Sequence, residues 1–152
     1  MARAVRRAGL KILLDTHVLM WALGGVERLP PNVRRDIEDP KNEILFSAAS
    51  IWEITIKASQ GRSDFVNDPA LIDQEARAAG FKELAISAAH ALAVQGLPMH
   101  HKDPFDRLLI AQALTEPAWL YTADRQMARY EGPVRPLNAG SQIVRPPLSS
   151  EP

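Results

Sequence analysis

The chain has 152 residues, 46% hydrophobic and 24% charged, which suits one domain with a sizeable core and speaks against a disordered or fibrous chain. Lysine plus arginine and aspartate plus glutamate number 18 each, so net charge offers no argument for a nucleic-acid partner, and any such partner has to be met through local patches or metal ions. Cysteine is absent, which excludes a disulfide framework and a thiolate metal site and fits a cytoplasmic setting.

Residues 1–9 read as a flexible basic arm, with Arg3, Arg6 and Arg7 as phosphate contacts or simply as solvated charge. The apolar run that follows is too short for a signal peptide, and no stretch approaches a membrane span. Lys11 to Leu14 predict a strand buried on both faces, ended by Asp15-Thr16; VLMWAL then begins a helix that Gly24-Gly25 stops. Pro30-Pro31-Asn32 open a polar helix, NVRRDIED, which Pro40 terminates. Glu43 to Phe46 form the next strand. In SIWEITIKASQG, the alternation of Trp52, Ile54 and Ile56 with Glu53, Thr55 and Lys57 suits a strand. A Ser50–Glu53 capping box, the Glu53–Lys57 pair and Gly61 as a stop instead predict a helix, which is the expectation here.

A polar loop over 62–69 leads into PALIDQEARAAG, an exposed amphipathic helix closed by Gly80, and a short strand falls within Phe81–Ile86. Ser87 caps AAHALAVQGL, in which His90 suits a packed or surface role. His100 and His101 follow in a loop, and adjacent histidines point apart on most backbones, which makes them a poor metal signal. In HHKDPFDRLLIAQALT, Asp103 fits the N-cap, Pro104 the first helical position and Asp106 the first turn. Taken alone, a cap and a helix-dipole partner explain both carboxylates. Ala118 to Thr122 predict another buried strand with Asp124 just after it; RQMARYE reads as a short helix, VRPL as an edge strand because of Pro136, and 139–152 as a disordered tail.

Alternating strands and helices argue for an α/β domain with a mainly parallel sheet and right-handed crossovers. In such folds ligands bind outside the carboxyl ends of the strands. Asp15 and Asp124 fall at two of those ends, and Glu53 and Asp106 lie in helices that begin at the same edge, so four acids converge on one rim. Crowded carboxylates repel unless cations balance them, and oxygen ligands without cysteine favour Mg²⁺ or Mn²⁺ over Zn²⁺. A hard cation held by few carboxylates keeps positions open for water and phosphate oxygens, the apparatus of phosphodiester hydrolysis.

Four motifs in order, LLDTHVLMWAL, SAASIWEITIK, HHKDPFDRLLIAQAL and LYTADRQM, resemble those of PIN-domain ribonucleases of the VapC type, the toxins of type II toxin–antitoxin systems. The resemblance covers residues 10–138 and implies an α/β/α sandwich, Mg²⁺- or Mn²⁺-dependent endoribonuclease activity, homodimerisation and neutralisation by a VapB-like or other small antitoxin. By that resemblance Asp15, Asp106 and Asp124 match the metal-binding aspartates and Glu53 their acidic partner. Thr16 and Thr122 match supporting hydroxyls, and Asp103 is a helper or only the cap. Arg107 is either an RNA-steering charge or a solvated helix charge. The rival reading keeps the fold as a non-catalytic RNA- or protein-binding module.

Overall fold

A computed structural model describes residues 9–61 and 68–137. The basic arm up to residue 8, most of the polar loop and the tail from residue 138 onward lie outside the described residues. Five strands form one sheet in the order β3-β2-β1-β4-β5: β1 (Lys11–Leu14), β2 (Glu43–Ser47), β3 (Lys82–Leu84), β4 (Trp119–Thr122) and β5 (Val134–Pro136). All four pairings are parallel, with Leu13 opposite Leu45 on one side and Leu120 on the other. A parallel sheet needs crossovers, and the helices that supply them are α1 (Thr16–Gly24), α2 (Pro31–Glu38), α3 (Ala48–Ser59), α4 (Pro69–Ala78), α5 (Ala88–Ala93) and α6 (Pro104–Thr115).

The central strands are apolar at consecutive positions because both their faces are covered. Ile12, Leu14, Ile44, Phe46 and Tyr121 pack with Val18, Leu19, Val33, Ile72 and Ala76 from α1, α2 and α4. Leu13, Leu45 and Leu120 face the other way onto Leu109, Ile110 and Ala113 of α6. The layers are thus α/β/α, and among the described residues no helix is long and apolar enough to cross a membrane.

Two local expectations change, and a third, the packed His90, gains its partners. The helix after β2 begins at Ala48, and its cap is the buried Ser47, whose Oγ accepts from the Ala49 N–H at 3.0 Å. β2 runs directly into α3 with no intervening loop, so Ser50 lies inside the helix and there is no Ser50–Glu53 box. RQMARYE yields a single 3₁₀ turn, Met127–Arg129, because the chain has to double back at once into the edge strand. His90 is buried and completes a capping box with Ser87, while its Nε2 lies 3.2 Å from Glu116.

Candidate active site

The carboxyl ends of β1 and β4 are adjacent, so the residues that follow them share one rim. Asp15 caps α1: its Oδ1 accepts from the Val18 N–H at 2.8 Å. Its Oδ2 accepts from the Thr122 hydroxyl at 2.5 Å and the Ala123 N–H at 3.2 Å. Burial pushes this carboxyl above the usual range, and the three hydrogen bonds act against that shift. The Thr122 Oγ in turn accepts from the Asp124 N–H at 3.0 Å, tying the two strand-end aspartates through one hydroxyl.

Thr16, next to Asp15, donates to Glu53 Oε1 at 2.6 Å and sits 3.0 Å from Ser50 Oγ, which fixes α3 against α1. The other oxygen of Glu53 accepts from Lys57 Nζ at 2.5 Å, the i,i+4 pair expected from the sequence. Asp103 caps α6, its Oδ1 accepting from the N–H groups of Phe105 at 2.8 Å and Asp106 at 3.2 Å. These bonds leave the Asp106 side chain facing the rim.

His101, Asp106 and Asp124 form the centre of the site, their donor atoms lying within 4.8 Å of one another. His101 Nε2 stands 2.8 Å from Asp106 Oδ2 and 3.2 Å from Asp124 Oδ2. Asp124 Oδ1 is engaged separately, accepting from the Gln126 N–H at 2.8 Å. Asp106 carries the electrostatic signature of the cluster. Burial, then the charges of Asp103 and Glu53, with a further push from Asp15, raise its pKa to about 7, while His101 pulls the other way. A carboxyl half-protonated near neutrality at a partly open rim is a site short of positive charge.

A divalent cation fits these donors. Cis ligands of an octahedral ion with bonds of about 2.1 Å stand roughly 3 Å apart, and the His101–Asp106 and His101–Asp124 separations bracket that spacing. Side-chain exposures of 12% for His101, 17% for Asp106 and 38% for Asp124 leave one side of the group open for further ligands. His101 Nδ1 accepts from the Asp103 N–H at 3.4 Å, which selects the tautomer whose Nε2–H bridges the carboxylates.

All four sequence-predicted acids therefore reach one rim, but in two tiers. Asp106 and Asp124 are directly juxtaposed; Asp15 and Glu53 act on Asp106 through their charge while their oxygens hold hydrogen bonds to Thr122 and Thr16. His101 is the member that sequence reasoning missed. The two histidines do point apart, as expected: the His100 ring packs edge-to-face on Tyr130 with centroids 5.1 Å apart, and this turns His101 toward the acids. Its position in the loop entering α6, just ahead of the Asp103 cap, was the available signal. Arg107 is only 8% exposed. Its guanidinium donates to the carbonyls of Pro98 at 3.0 Å and Val94 at 3.1 Å and to the Tyr130 hydroxyl at 3.1 Å, bracing the loop that carries His101.

Comparison with known proteins agrees with this architecture. The family model described as the PIN domain matches residues 12–133. Ribonuclease VapC22 of Mycobacterium tuberculosis is 30% identical over 127 residues, spanning 83% of this chain and 95% of that protein. A crystal structure of VapBC2 from Rickettsia felis bound to a promoter DNA fragment matches with a TM-score of 0.60 at 15% identity, covering 84% of this chain and 98% of the matched chain. A DNA-bound VapBC from Salmonella typhimurium matches with the same TM-score at 16% identity and the same coverage. These two likenesses speak to the fold, whereas the family match and the mycobacterial relative speak to descent: the chain belongs to the PIN-domain family and is related to VapC-type ribonucleases.

Proposed function

We propose that this protein is a divalent-metal-dependent endoribonuclease, the toxin of a toxin–antitoxin pair, held in check by a VapB-like antitoxin. The observation that carries the reading is the His101–Asp106–Asp124 cluster at the carboxyl rim of a PIN-family sheet. The likeness to the VapBC complexes and to a named ribonuclease supports the partner and the substrate class. The same reading implies a homodimer in the cytoplasm, with residues 10–138 as the catalytic domain and the basic arm and tail as appendages.

Asp106 and Asp124 would hold Mg²⁺ or Mn²⁺, with His101 beside them and Asp15 as the third family-type acid. The chemistry a cation would supply there is neutralisation of phosphate charge and a lowered pKa for a water molecule. Asp15 and Glu53 maintain the negative field that makes the cation necessary, and Thr122 and Thr16 keep those two carboxylates oriented. Asp103 is a cap first and contributes charge second. In the reaction a water oxygen loses a proton and bonds to phosphorus as the P–O3′ bond breaks, and O3′ takes up a proton, leaving a 3′-hydroxyl and a 5′-phosphate.

The test is incubation of the purified protein with structured RNA in Mg²⁺, in Mn²⁺ and in EDTA, with end-mapping of the products. Cleavage that needs the metal and disappears in Asp15→Asn is the expected result. Cleavage that persists in EDTA contradicts the mechanism, and RNA binding without cleavage in any metal favours the non-catalytic module.

A further inference from the structure

Among the large apolar side chains that the described residues expose, Trp52 is the one aromatic, 58% accessible in a chain where aromatics are 6% of residues. Its neighbour in α3, Glu53, is buried against Thr16, so the helix turns the acid inward and the indole outward. In α6 the half-buried Phe105 likewise stands immediately before an acid, Asp106. The two rings meet edge-to-face, centroids 5.3 Å apart and planes at 74°. They therefore form one aromatic step linking α3 to α6, each ring one residue ahead of an acid, Glu53 or Asp106, whose charges interact. A T-shaped contact with Phe105 fixes the orientation of the indole and still leaves more than half of it in water.

We propose that the Trp52–Phe105 pair is a base-stacking platform that takes an unpaired nucleobase of the substrate next to the scissile phosphate. The inference rests on the ribonuclease reading above and concerns which side chains of this chain would hold one base of its RNA. Duplex RNA keeps its bases inside the helix, whereas an unpaired base presents a π-face to an aromatic side chain whatever its identity. The acidic rim supplies no attraction for a polyanion of its own accord. A stacking contact adds affinity without adding positive charge beside the carboxylates, which a lysine or arginine at the same place would neutralise. Stacking fixes the position of one nucleotide and so brings the adjoining phosphate to the carboxylates of α6. Trp52 is on this view a positioning and specificity residue, and the acids do the chemistry.

The test pairs Trp52 variants with a fluorescein-labelled mixed-sequence 12-nucleotide single-stranded RNA, its duplex, and a series carrying one abasic nucleotide at each position. Binding is read by anisotropy and indole emission in the presence of Mn²⁺, and cleavage by gel. The expected result is quenching of indole emission by the single strand and not by the duplex. Trp52→Ala should weaken binding and raise KM about tenfold, with kcat changed far less, while Trp52→Phe recovers most of the loss and Trp52→Leu does not. An abasic site at one position should reproduce the loss in the wild type and add nothing in Trp52→Ala. Equal binding and cleavage by wild type and Trp52→Ala overturns the platform while leaving the nuclease reading intact. Quenching and a Trp52-dependent Kd without cleavage does the reverse. A Trp52→Ala variant that changes the protein's oligomeric state with unaltered RNA affinity assigns the ring to a protein interface and also overturns the proposal.

Discussion

The two ends of the sheet treat their charges in opposite ways. At the amino end, Glu43 is shared between Lys82 at 3.1 Å and Lys11 at 3.8 Å, and Glu116 lies 3.2 Å from His90 and 3.9 Å from Lys11. At the carboxyl end, Asp15, Glu53, Asp103, Asp106 and Asp124 crowd together, with His101 bridging two of them and Lys57 reaching Glu53. Balanced charge is what a fold requires for its own sake. An unbalanced rim is a standing cost to the folded chain, one that a bound cation would offset. The difference sets the candidate site, at the carboxyl end, apart from an amino end whose charges are paired.

Neutralising the same charge type at the two ends should then give opposite results. Asp106→Asn is expected to have the largest effect, lowering metal-dependent cleavage roughly a thousandfold or more, since several kcal/mol of charge stabilisation are at stake. The same variant should melt higher than the wild type in the absence of metal, because it removes a repelled carboxylate. A lower melting temperature in EDTA would break the comparison.

The next effect is on pH dependence. The folded-state pKa of Asp106 is about 7, against an ordinary value of 3.8. The folded protein thus holds a proton that the unfolded chain has already released, and in metal-free buffer its contribution to stability is full below the ordinary value and is lost as pH rises toward about 7. Urea midpoints measured across that window should fall with pH in the wild type and fall less steeply in Asp106→Asn, where the raised carboxyl of Asp15 remains. A wild-type curve as flat as the variant's would remove the electrostatic argument.

Smaller still is the effect of Asp103→Asn. Asparagine caps helices about as well as aspartate, so helix stability should hold and cleavage change by only a few-fold; a loss equal to that of Asp106→Asn would mean that the cap is also a ligand. Smallest is Glu43→Gln at the balanced end, expected to cost under about 1 kcal/mol in thermal or urea unfolding and to leave cleavage unchanged.

The sequence carried the strands, the layer order and the four acids because each has a local physical sign: consecutive apolar positions for strands covered on both faces, Pro104 after Asp103 for a helix start, an acid at a strand's end. It did not carry His101, because the orientation of a loop histidine is decided by what packs on its neighbour, here Tyr130 from 29 residues further along the chain. Arg107 shows the same limit. Its helical position suits solvent or RNA equally well, and only the carbonyls of the 94–101 segment, brought over α6 by the fold, draw the guanidinium inward. Ser47 displaced Ser50 as the α3 cap for a simpler reason: where a strand passes into a helix without a loop, the first hydroxyl after the apolar run takes the cap.

The most direct measurement is a titration of the purified protein with Mn²⁺, followed by electron paramagnetic resonance of the free ion, for the wild type, Asp106→Asn and Glu43→Gln. The account predicts saturable binding by the wild type and Glu43→Gln and none of that binding in Asp106→Asn. Binding of equal strength by all three proteins, or by none, would contradict the claim that the carboxyl rim is built to hold a divalent cation.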